Sequence, residues 1–219
     1  MTERPPPHGS QPVATEGPPL GHGRAVMIMV HGRNATPADI LSLVPVLAHP
    51  DFTYLAPAAA GGTWYPESFL APTERNEPGI SSGIAVIHRL VDQAIAGGVP
   101  FHRIMLLGFS QGACLAVTAA YRRPARYGGV IAYSGGLIGP PGTRWPAEGS
   151  FDGTPAFLGC SDVDPHIPRI RVDETAAVLE RMGAVVTRRI YPRMGHTVND
   201  DELAFARELM GGIGGHRRS

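Results

Sequence analysis

The stretch Ile104-Met105-Leu106-Leu107-Gly108-Phe109-Ser110-Gln111-Gly112 joins an apolar run to a helical pattern that continues to about residue 121. A short apolar run that ends in a glycine-bracketed turn predicts a strand that is buried on both faces. The turn holds one serine in the spacing Gly-x-Ser-x-Gly. Because glycine has no Cβ to crowd the adjoining strand and helix, the stretch predicts a sharp turn that exposes the Ser110 hydroxyl.

Strands and helices alternate along most of the chain. Apolar stretches predict further strands at residues 25–30, 53–56, 129–133, 156–159 and 185–191. Helical patterns lie between them, beginning at Pro37 and covering residues 81–96, 111–121, 172–182 and 200–210. This alternation predicts an α/β fold with a mostly parallel central sheet, helices on both faces and no separate cap domain. Ligands of such sheets bind beyond the carboxyl ends of the strands, so chemistry is expected in the residues that follow each strand.

The composition disfavours several classes of partner. The chain has 219 residues, 43% hydrophobic and 17% charged, which is the balance of one folded domain. Acidic and basic residues are equal at 19 each, so no basic field is expected to attract nucleic acid or an anionic membrane. No stretch approaches the ~20 apolar residues of a membrane span, and the first residues lack the apolar core of a signal peptide. We therefore expect a cytoplasmic protein.

The two ends of the chain differ in composition from the rest. Residues 1–22 are rich in proline and poor in large apolar side chains, which predicts a disordered tail. Residues 212–219 are rich in glycine and arginine, which predicts a flexible C-terminal tail. Residues 23–211 are then the folded domain.

Two cysteines, Cys114 and Cys160, lie inside apolar runs. Two cysteines form neither a disulfide framework nor a zinc site of the usual spacing, so we expect both to be reduced and buried. No metal and no cofactor is predicted.

Ser110 is a candidate nucleophile. A serine hydroxyl needs a neighbouring base to take its proton, and the base needs an acid that fixes its tautomer. The turn also leaves the backbone N–H of Gln111 unpaired at a helix N-terminus, where it can hold a developing oxyanion. The alternative is that Ser110 serves only as the N-cap of the helix.

The acid and the base are sought later in the chain, in the order Asp or Glu and then His. Asp162 and Asp164 both follow the strand at 156–159. Asp164 precedes a proline, which fixes a turn that can aim its carboxylate toward the sheet, so it is favoured and Asp162 stays second. His196 follows the strand at 185–191 and is the favoured base, whereas His166 lies in the acid loop and could contact substrate.

The loop after the first strand, His31-Gly32-Arg33-Asn34, is expected to supply a second oxyanion donor. Its candidate donor is the Arg33 backbone N–H, and His31 is expected to hold the loop by local hydrogen bonds. Loops after the second and fourth strands carry apolar residues that wall a substrate pocket or pack on the core. These residues are Trp64, Tyr65, Phe69, Leu137 and Ile138.

Together these segments resemble the phospholipase/carboxylesterase family of the α/β-hydrolase fold, which includes acyl-protein thioesterases. The resemblance covers about residues 24–210 and depends on four segments: HGRN at 31–34, GFSQGA at 108–113, DPHIP at 164–168 and MGH at 194–196. It implies Ser110, Asp164 and His196 as a catalytic triad. The first loop departs from the family pattern HGxG, because Asn34 replaces the second glycine; asparagine tolerates positive φ. The segment at 62–83 is similar to a bacterial subgroup of small carboxylesterases.

The resemblance implies a serine carboxylesterase that hydrolyses small, short-chain or aryl esters through an acyl-enzyme. Its expected partner is a small-molecule ester, and a homodimer formed through exposed apolar loop residues is compatible with the sequence. Alternatives are a thioesterase or lysophospholipase, a lactone hydrolase, and a non-catalytic binding protein of the same fold. Dienelactone hydrolases share the fold, but they carry a cysteine where Ser110 stands.

Overall fold

The computed structural model of the chain describes residues 6–214. Its strands are β1 Val13–Glu16, β2 Ala25–Val30, β3 Phe52–Pro57, β4 Ile104–Phe109, β5 Gly129–Tyr133, β6 Pro155–Ser161 and β7 Val185–Tyr191. Its α-helices are α1 Pro37–Leu41, α2 Val44–Leu47, α3 Gly79–Ala96, α4 Gln111–Arg122, α5 Arg169–Arg181 and α6 Asp200–Gly214. The strands form one sheet in the order β1-β3-β2-β4-β5-β6-β7. Only β1 runs antiparallel to its neighbour, so the predicted mostly parallel sheet is confirmed.

Two apolar layers hold the sheet between its helices. Every residue of β2 is buried, and its side chains alternate between the two layers. Val26, Ile28 and Val30 pack in the layer that contains α3, α4 and α5, whereas Met27 and Met29 pack in the layer that contains α1, α2 and α6. A fully buried side chain of this size contributes roughly 1.5–3 kcal/mol of transfer free energy. Burial on both faces explains why the sequence of β2 is continuously apolar.

The N-terminal segment is ordered from residue 6, so the predicted disordered tail over residues 1–22 is wrong for the part that the structure describes. Strand β1 pairs with β3, from Val13 opposite Pro57 to Glu16 opposite Tyr54. A strand at the edge of a sheet needs neighbours on one side only, so four residues without large apolar side chains suffice. Residues 1–5 lie outside the described part.

The C-terminal boundary also differs from the prediction. Helix α6 continues to Gly214, so residues 212–214 belong to a helix rather than to a flexible tail. The three glycines in the last turn each weaken a helix by roughly 1 kcal/mol, but the apolar Ile213 packs against the core layer of α6. Residues 215–219 lie outside the described part. None of the helices within residues 6–214 has the length and apolar content needed to span a membrane.

Candidate active site

Three parallel strands end at one edge of the sheet and bring three polar side chains together. Ser110 follows β4, Asp164 follows β6 and His196 follows β7. The Ser110 hydroxyl lies 2.7 Å from His196 Nε2, and His196 Nδ1 lies 2.7 Å from Asp164 Oδ2. Residues far apart in the chain therefore form one continuous hydrogen-bonded row at the place where α/β sheets bind ligands.

The turn at Ser110 is sterically demanding. Its backbone has φ 55° and ψ −120°, which is a conformation that L-residues rarely adopt, and its N–H donates to Tyr133 O at 2.9 Å. A Cβ atom at Gly108 would overlap the carbonyl of Gly112, and one at Gly112 would overlap the carbonyls of Val30 and His31. The two glycines thus let β4, β2 and α4 meet closely enough to force the serine outward.

The hydrogen bonds of His196 define its tautomer. Nδ1–H donates to the Asp164 carboxylate, which leaves Nε2 free to accept the Ser110 hydroxyl proton. The ring contacts the rings of Phe109 and His166, at centroid distances of 5.0 and 4.9 Å. The imidazole is 18% exposed, so these two contacts restrain its orientation while it still lines the cavity beside Ser110.

Asp164 is the aspartate that meets the histidine. Its side chain is fully buried, and its Oδ1 accepts the backbone N–H groups of His166 at 2.8 Å and Ile167 at 3.0 Å. Burial alone would raise the pKa of Asp164, but the hydrogen bonds from His196 and these two N–H groups outweigh it and lower the pKa below its usual value. The carboxylate is therefore held ionised beside the imidazole.

Asp162, the second candidate acid, lies away from the imidazole and has a different partner. Its Oδ1 accepts the backbone N–H of Arg193 at 2.7 Å, and Arg193 has a positive φ of 53°. Asp162 thus ties the loop after β6 to the loop that carries His196. Sequence reasoning missed this role, because an aspartate in a turn carries no signal that specifies a partner 31 residues later.

The loop after β2 is held in the way that was predicted for His31. The ring Nδ1–H donates to Gly32 O at 2.8 Å, and Nε2 accepts the Ala59 N–H at 3.2 Å. Asn34 adopts φ 57°, so asparagine supplies the positive φ at the position where the family pattern has glycine. Within residues 6–214, neither the Arg33 N–H nor the Gln111 N–H has a backbone acceptor, so both donors are free for an oxyanion.

Two side chains fix this loop against the segment that follows β3. The Arg33 guanidinium donates to the carbonyls of Tyr65, Pro66 and Glu67 at 2.6–3.0 Å. The Gln111 amide accepts from Trp64 N at 2.9 Å and donates to Tyr65 O at 2.8 Å. The sequence predicts a role only for the backbone N–H groups of Arg33 and Gln111, and nothing in it pairs their side chains with residues 64–67.

A cavity of about 570 Å³ opens beside Ser110 and His196. Of the predicted pocket residues, Tyr65 and Phe69 line it, together with Phe109 and Ile167. Its rim also carries Arg33, Glu67 and His166, so the prediction that His166 could contact substrate agrees with its position.

Three predicted pocket residues, Trp64, Leu137 and Ile138, do not line this cavity and pack in the core instead. Trp64 is fully buried, and its indole N–H donates to His31 O at 2.9 Å. Leu137 and Ile138 are held inward because their backbone N–H groups donate to the hydroxyls of Thr175 and Thr118. Their assignment to the pocket was wrong and the alternative, packing on the core, holds, because position in a loop does not determine which way a side chain points.

Both cysteines are free and buried. Burial raises the pKa of Cys114 and of Cys160 to about 12 each, so neither thiol is a ready nucleophile. The Cys160 thiol lies 3.8 Å from Asp164 Oδ2 and 3.7 Å from Ile167 O. Among the described residues, no group of three or more His, Cys, Asp or Glu side chains is arranged to hold a metal ion.

The sheet topology and the strand–turn–helix at Ser110 are those of the α/β-hydrolase fold. Residues 19–211 match the family model described as Phospholipase/Carboxylesterase, and the chain belongs to that family. Relatives of the chain are named acyl-protein thioesterase and probable carboxylesterase, and the chain is accordingly a carboxylic ester hydrolase.

Several relatives share most of its length. The crystal structure of a phospholipase/carboxylesterase from Dyadobacter fermentans superposes with a TM-score of 0.87 at 38% identity, covering 92% of this chain and 96% of that one. Acyl-protein thioesterase 1 of Eremothecium gossypii is 28% identical over 77% of this chain and 78% of its own length. The Bacillus cereus carboxylesterase shares the fold, with a TM-score of 0.74 at 18% identity over 93% of this chain and 95% of that one.

Proposed function

We propose that the chain hydrolyses small carboxylic esters with short acyl chains or aryl groups, through an acyl-enzyme on Ser110. The observation that carries the proposal is the row of two 2.7 Å hydrogen bonds from Ser110 through His196 to Asp164. A hydroxyl, a correctly oriented imidazole and a buried carboxylate in this row are what acyl transfer by a serine requires.

In the proposed cycle, Ser110 Oγ attacks the acyl carbonyl while His196 Nε2 takes its proton. The Asp164 carboxylate stabilises the imidazolium that forms. The N–H groups of Arg33 and Gln111 hold the oxyanion of the tetrahedral intermediate. The imidazolium then protonates the leaving alkoxide, and the C–O bond of the ester breaks. A water molecule then attacks the acyl carbonyl of the acyl-enzyme while His196 takes its proton. Collapse of this second intermediate releases the acid, and the proton returns from His196 to Ser110.

The size and lining of the cavity beside Ser110 support the preference for small substrates. Its volume of about 570 Å³ falls within the roughly 300–1,000 Å³ of small-molecule sites. Its apolar lining includes Tyr65, Phe69, Phe109 and Ile167, which can cover a short alkyl chain or one ring. Trp64, Leu137 and Ile138 are buried in the core and add no apolar wall to this cavity.

The test is hydrolysis of 4-nitrophenyl esters of two, four, eight and sixteen carbons. We expect kcat/KM to be greatest for acetate or butyrate and to fall beyond octanoate, since each methylene that the pocket cannot accommodate changes the activation free energy by ~1–3 kcal/mol at most. Phe69→Ala should move the optimum toward longer chains, whereas Val163→Ala, an exposed position, serves as the matched control. A flat profile out to sixteen carbons would contradict the proposed substrate size.

Thioester hydrolysis is a second candidate, favoured by the thioesterases among the relatives. Phenyl butyrate and S-phenyl thiobutyrate differ only in the leaving atom, and they separate the two activities. We expect the oxygen ester to show the greater acceleration over its uncatalysed hydrolysis. A greater acceleration for the thioester would favour the second candidate and leave the Ser110 mechanism intact.

A further inference from the structure

The N-terminal segment reaches the back of the active site through one buried side chain, His8. This residue is 2% exposed although it precedes the first strand. Its backbone N–H donates to Ser82 Oγ at 2.9 Å. In its ring, Nδ1 accepts the Ala60 N–H at 3.0 Å and Nε2–H donates to Trp64 O at 2.8 Å. Every polar atom of the imidazole is therefore used to hold the segment that follows β3.

Trp64 contacts two imidazoles. The rings of His8 and His31 each have a centroid 5.1 Å from a Trp64 ring. The two histidines also accept neighbouring amides, since Ala59 N–H donates to His31 and Ala60 N–H donates to His8. His8 and His31 thus both contact the indole, and each accepts one of the backbone N–H groups of residues 59 and 60.

Trp64 in turn contacts both parts of the oxyanion site. Its indole N–H donates to the carbonyl of His31, two residues before Arg33. Its backbone N–H donates to the side chain of Gln111, whose own N–H is the other proposed donor. A chain of direct contacts therefore runs from His8 through Trp64 to the two loops that carry the Arg33 and Gln111 donors.

We propose that His8 is a positioning residue for the oxyanion site, so that the N-terminal segment is part of the catalytic apparatus rather than an appended tail. This inference rests on the proposed function. His8 touches neither substrate nor reacting atoms; it acts by fixing Trp64. Loss of its two ring hydrogen bonds frees residues 59–64 to shift, and the His31 carbonyl and the Gln111 side chain lose a fixed partner.

The expected kinetic effect is specific to the transition state. Donors aimed at the oxyanion act on the tetrahedral intermediate more than on the bound ester. Loss of one such donor lowers kcat by about 10²–10³-fold. A donor that is only displaced should lower kcat by less than this. We therefore expect His8→Ala to lower kcat about ten- to hundredfold and to change KM by less than about threefold.

The experiment compares His8→Ala, His8→Gln and Trp64→Phe with the wild type. His8→Gln keeps a donor near Trp64 O and should recover part of the activity. Trp64→Phe keeps an aromatic ring but removes the N–H that bonds to His31. Thr15→Ala is the matched control, because Thr15 is exposed in the same segment. Rates are expressed per active site, counted by complete titration with an irreversible fluorophosphonate, so that unfolded protein does not contribute.

Two further readouts separate positioning from stability. A trifluoromethyl ketone forms an oxyanion on the serine, and its affinity should fall in His8→Ala by about the same factor as kcat. Amide hydrogen exchange of residues 31–34 and 59–64 should become faster in this variant and stay unchanged in Thr15→Ala. The inference is overturned if His8→Ala lowers Tm but keeps the wild-type kcat per active site, the wild-type affinity for the ketone and the wild-type rates of amide hydrogen exchange.

The failure of the proposed function gives a different pattern. A wild type that neither hydrolyses esters nor binds the ketone contradicts the proposed function. Hydrogen exchange still tests the inference in that case, because unchanged protection of residues 31–34 in His8→Ala would show that His8 does not order the oxyanion loop.

Discussion

Glu202→Gln should raise stability at neutral and basic pH. Glu202 lies in the first turn of α6, is fully buried and faces β6 so closely that a Cβ on Gly159 would overlap its Oε1. Oε2 accepts the Asn199 N–H at 2.9 Å, whereas Oε1 has no hydrogen-bond partner among residues 6–214. Burial raises the pKa of Glu202 from 4.5 to about 7, against the lowering effect of the Asn199 N–H.

Proton linkage gives the direction and the size of the change in folding stability with pH. Between pH 4.5 and about 7 the folded state keeps a proton on Glu202 that the unfolded state has released, so stability falls as pH rises through this window. A shift from 4.5 to about 7 corresponds to about 3 kcal/mol at 1.36 kcal/mol per pKa unit. Glutamine carries no charge and can still accept the Asn199 N–H through its amide oxygen, as in a capping box. The stability of Glu202→Gln relative to wild type should therefore increase by about 2–3 kcal/mol from pH 5 to pH 8.

Urea unfolding followed by tryptophan fluorescence at pH 5 and pH 8 measures this difference. Glu208→Gln is the matched control, because Glu208 is exposed on the same helix and water hydrates its side chain in both states. The urea midpoint of Glu202→Gln should exceed that of the wild type by more at pH 8 than at pH 5. The midpoint difference between Glu208→Gln and the wild type should be the same at both pH values. An unchanged or falling stability difference between Glu202→Gln and wild type would refute the argument that the buried carboxylate is destabilising when ionised.

Two other substitutions test the triad and the turn. Asp164→Asn should lower kcat by several orders of magnitude, roughly the 10⁴-fold seen when a triad aspartate is replaced elsewhere, with Tm within a few degrees of wild type; retention of most of the activity would assign the acid role to another residue. Gly112→Ala should destabilise the fold by about 1–3 kcal/mol or more, because the new Cβ would overlap the carbonyl of Val30; Gly211→Ala, where nothing lies within 4 Å, is the control, and equal stabilities of the two variants in urea would contradict the packing argument.

The sequence predicted the parallel part of the fold because its signals are local. A strand buried on both faces is apolar almost throughout, and β5 begins and ends at the predicted residues 129–133. Strand β7 also begins and ends where predicted, at 185–191, although it is the other edge strand and is only partly buried. Strand β1 was missed because an edge strand of four half-exposed residues among prolines has neither periodicity nor an apolar run. Its order comes from pairing with β3 and from the burial of His8, and both are contacts with distant residues.

The site was predictable where residue order alone constrains it. Ser110, Asp164 and His196 each follow a parallel strand, and such strands end at one edge, so their proximity follows from topology. The direction in which a loop side chain points does not follow from topology. Trp64, which was placed in a loop, is therefore a core residue that the sequence did not identify as one. The side-chain partners of Arg33 and Asp162 were equally hidden, since their acceptors and donors are backbone groups that any residue supplies.

Hydrolysis of 4-nitrophenyl butyrate by the wild type and by Ser110→Ala tests the central claim most directly. Both proteins are assayed at pH 7.5 after circular dichroism has verified equal folding. The account predicts a readily measured kcat/KM for the wild type and a loss of several orders of magnitude in Ser110→Ala, as expected for a triad nucleophile. Equal activity of the two proteins would show that Ser110 is not the nucleophile and would contradict the account.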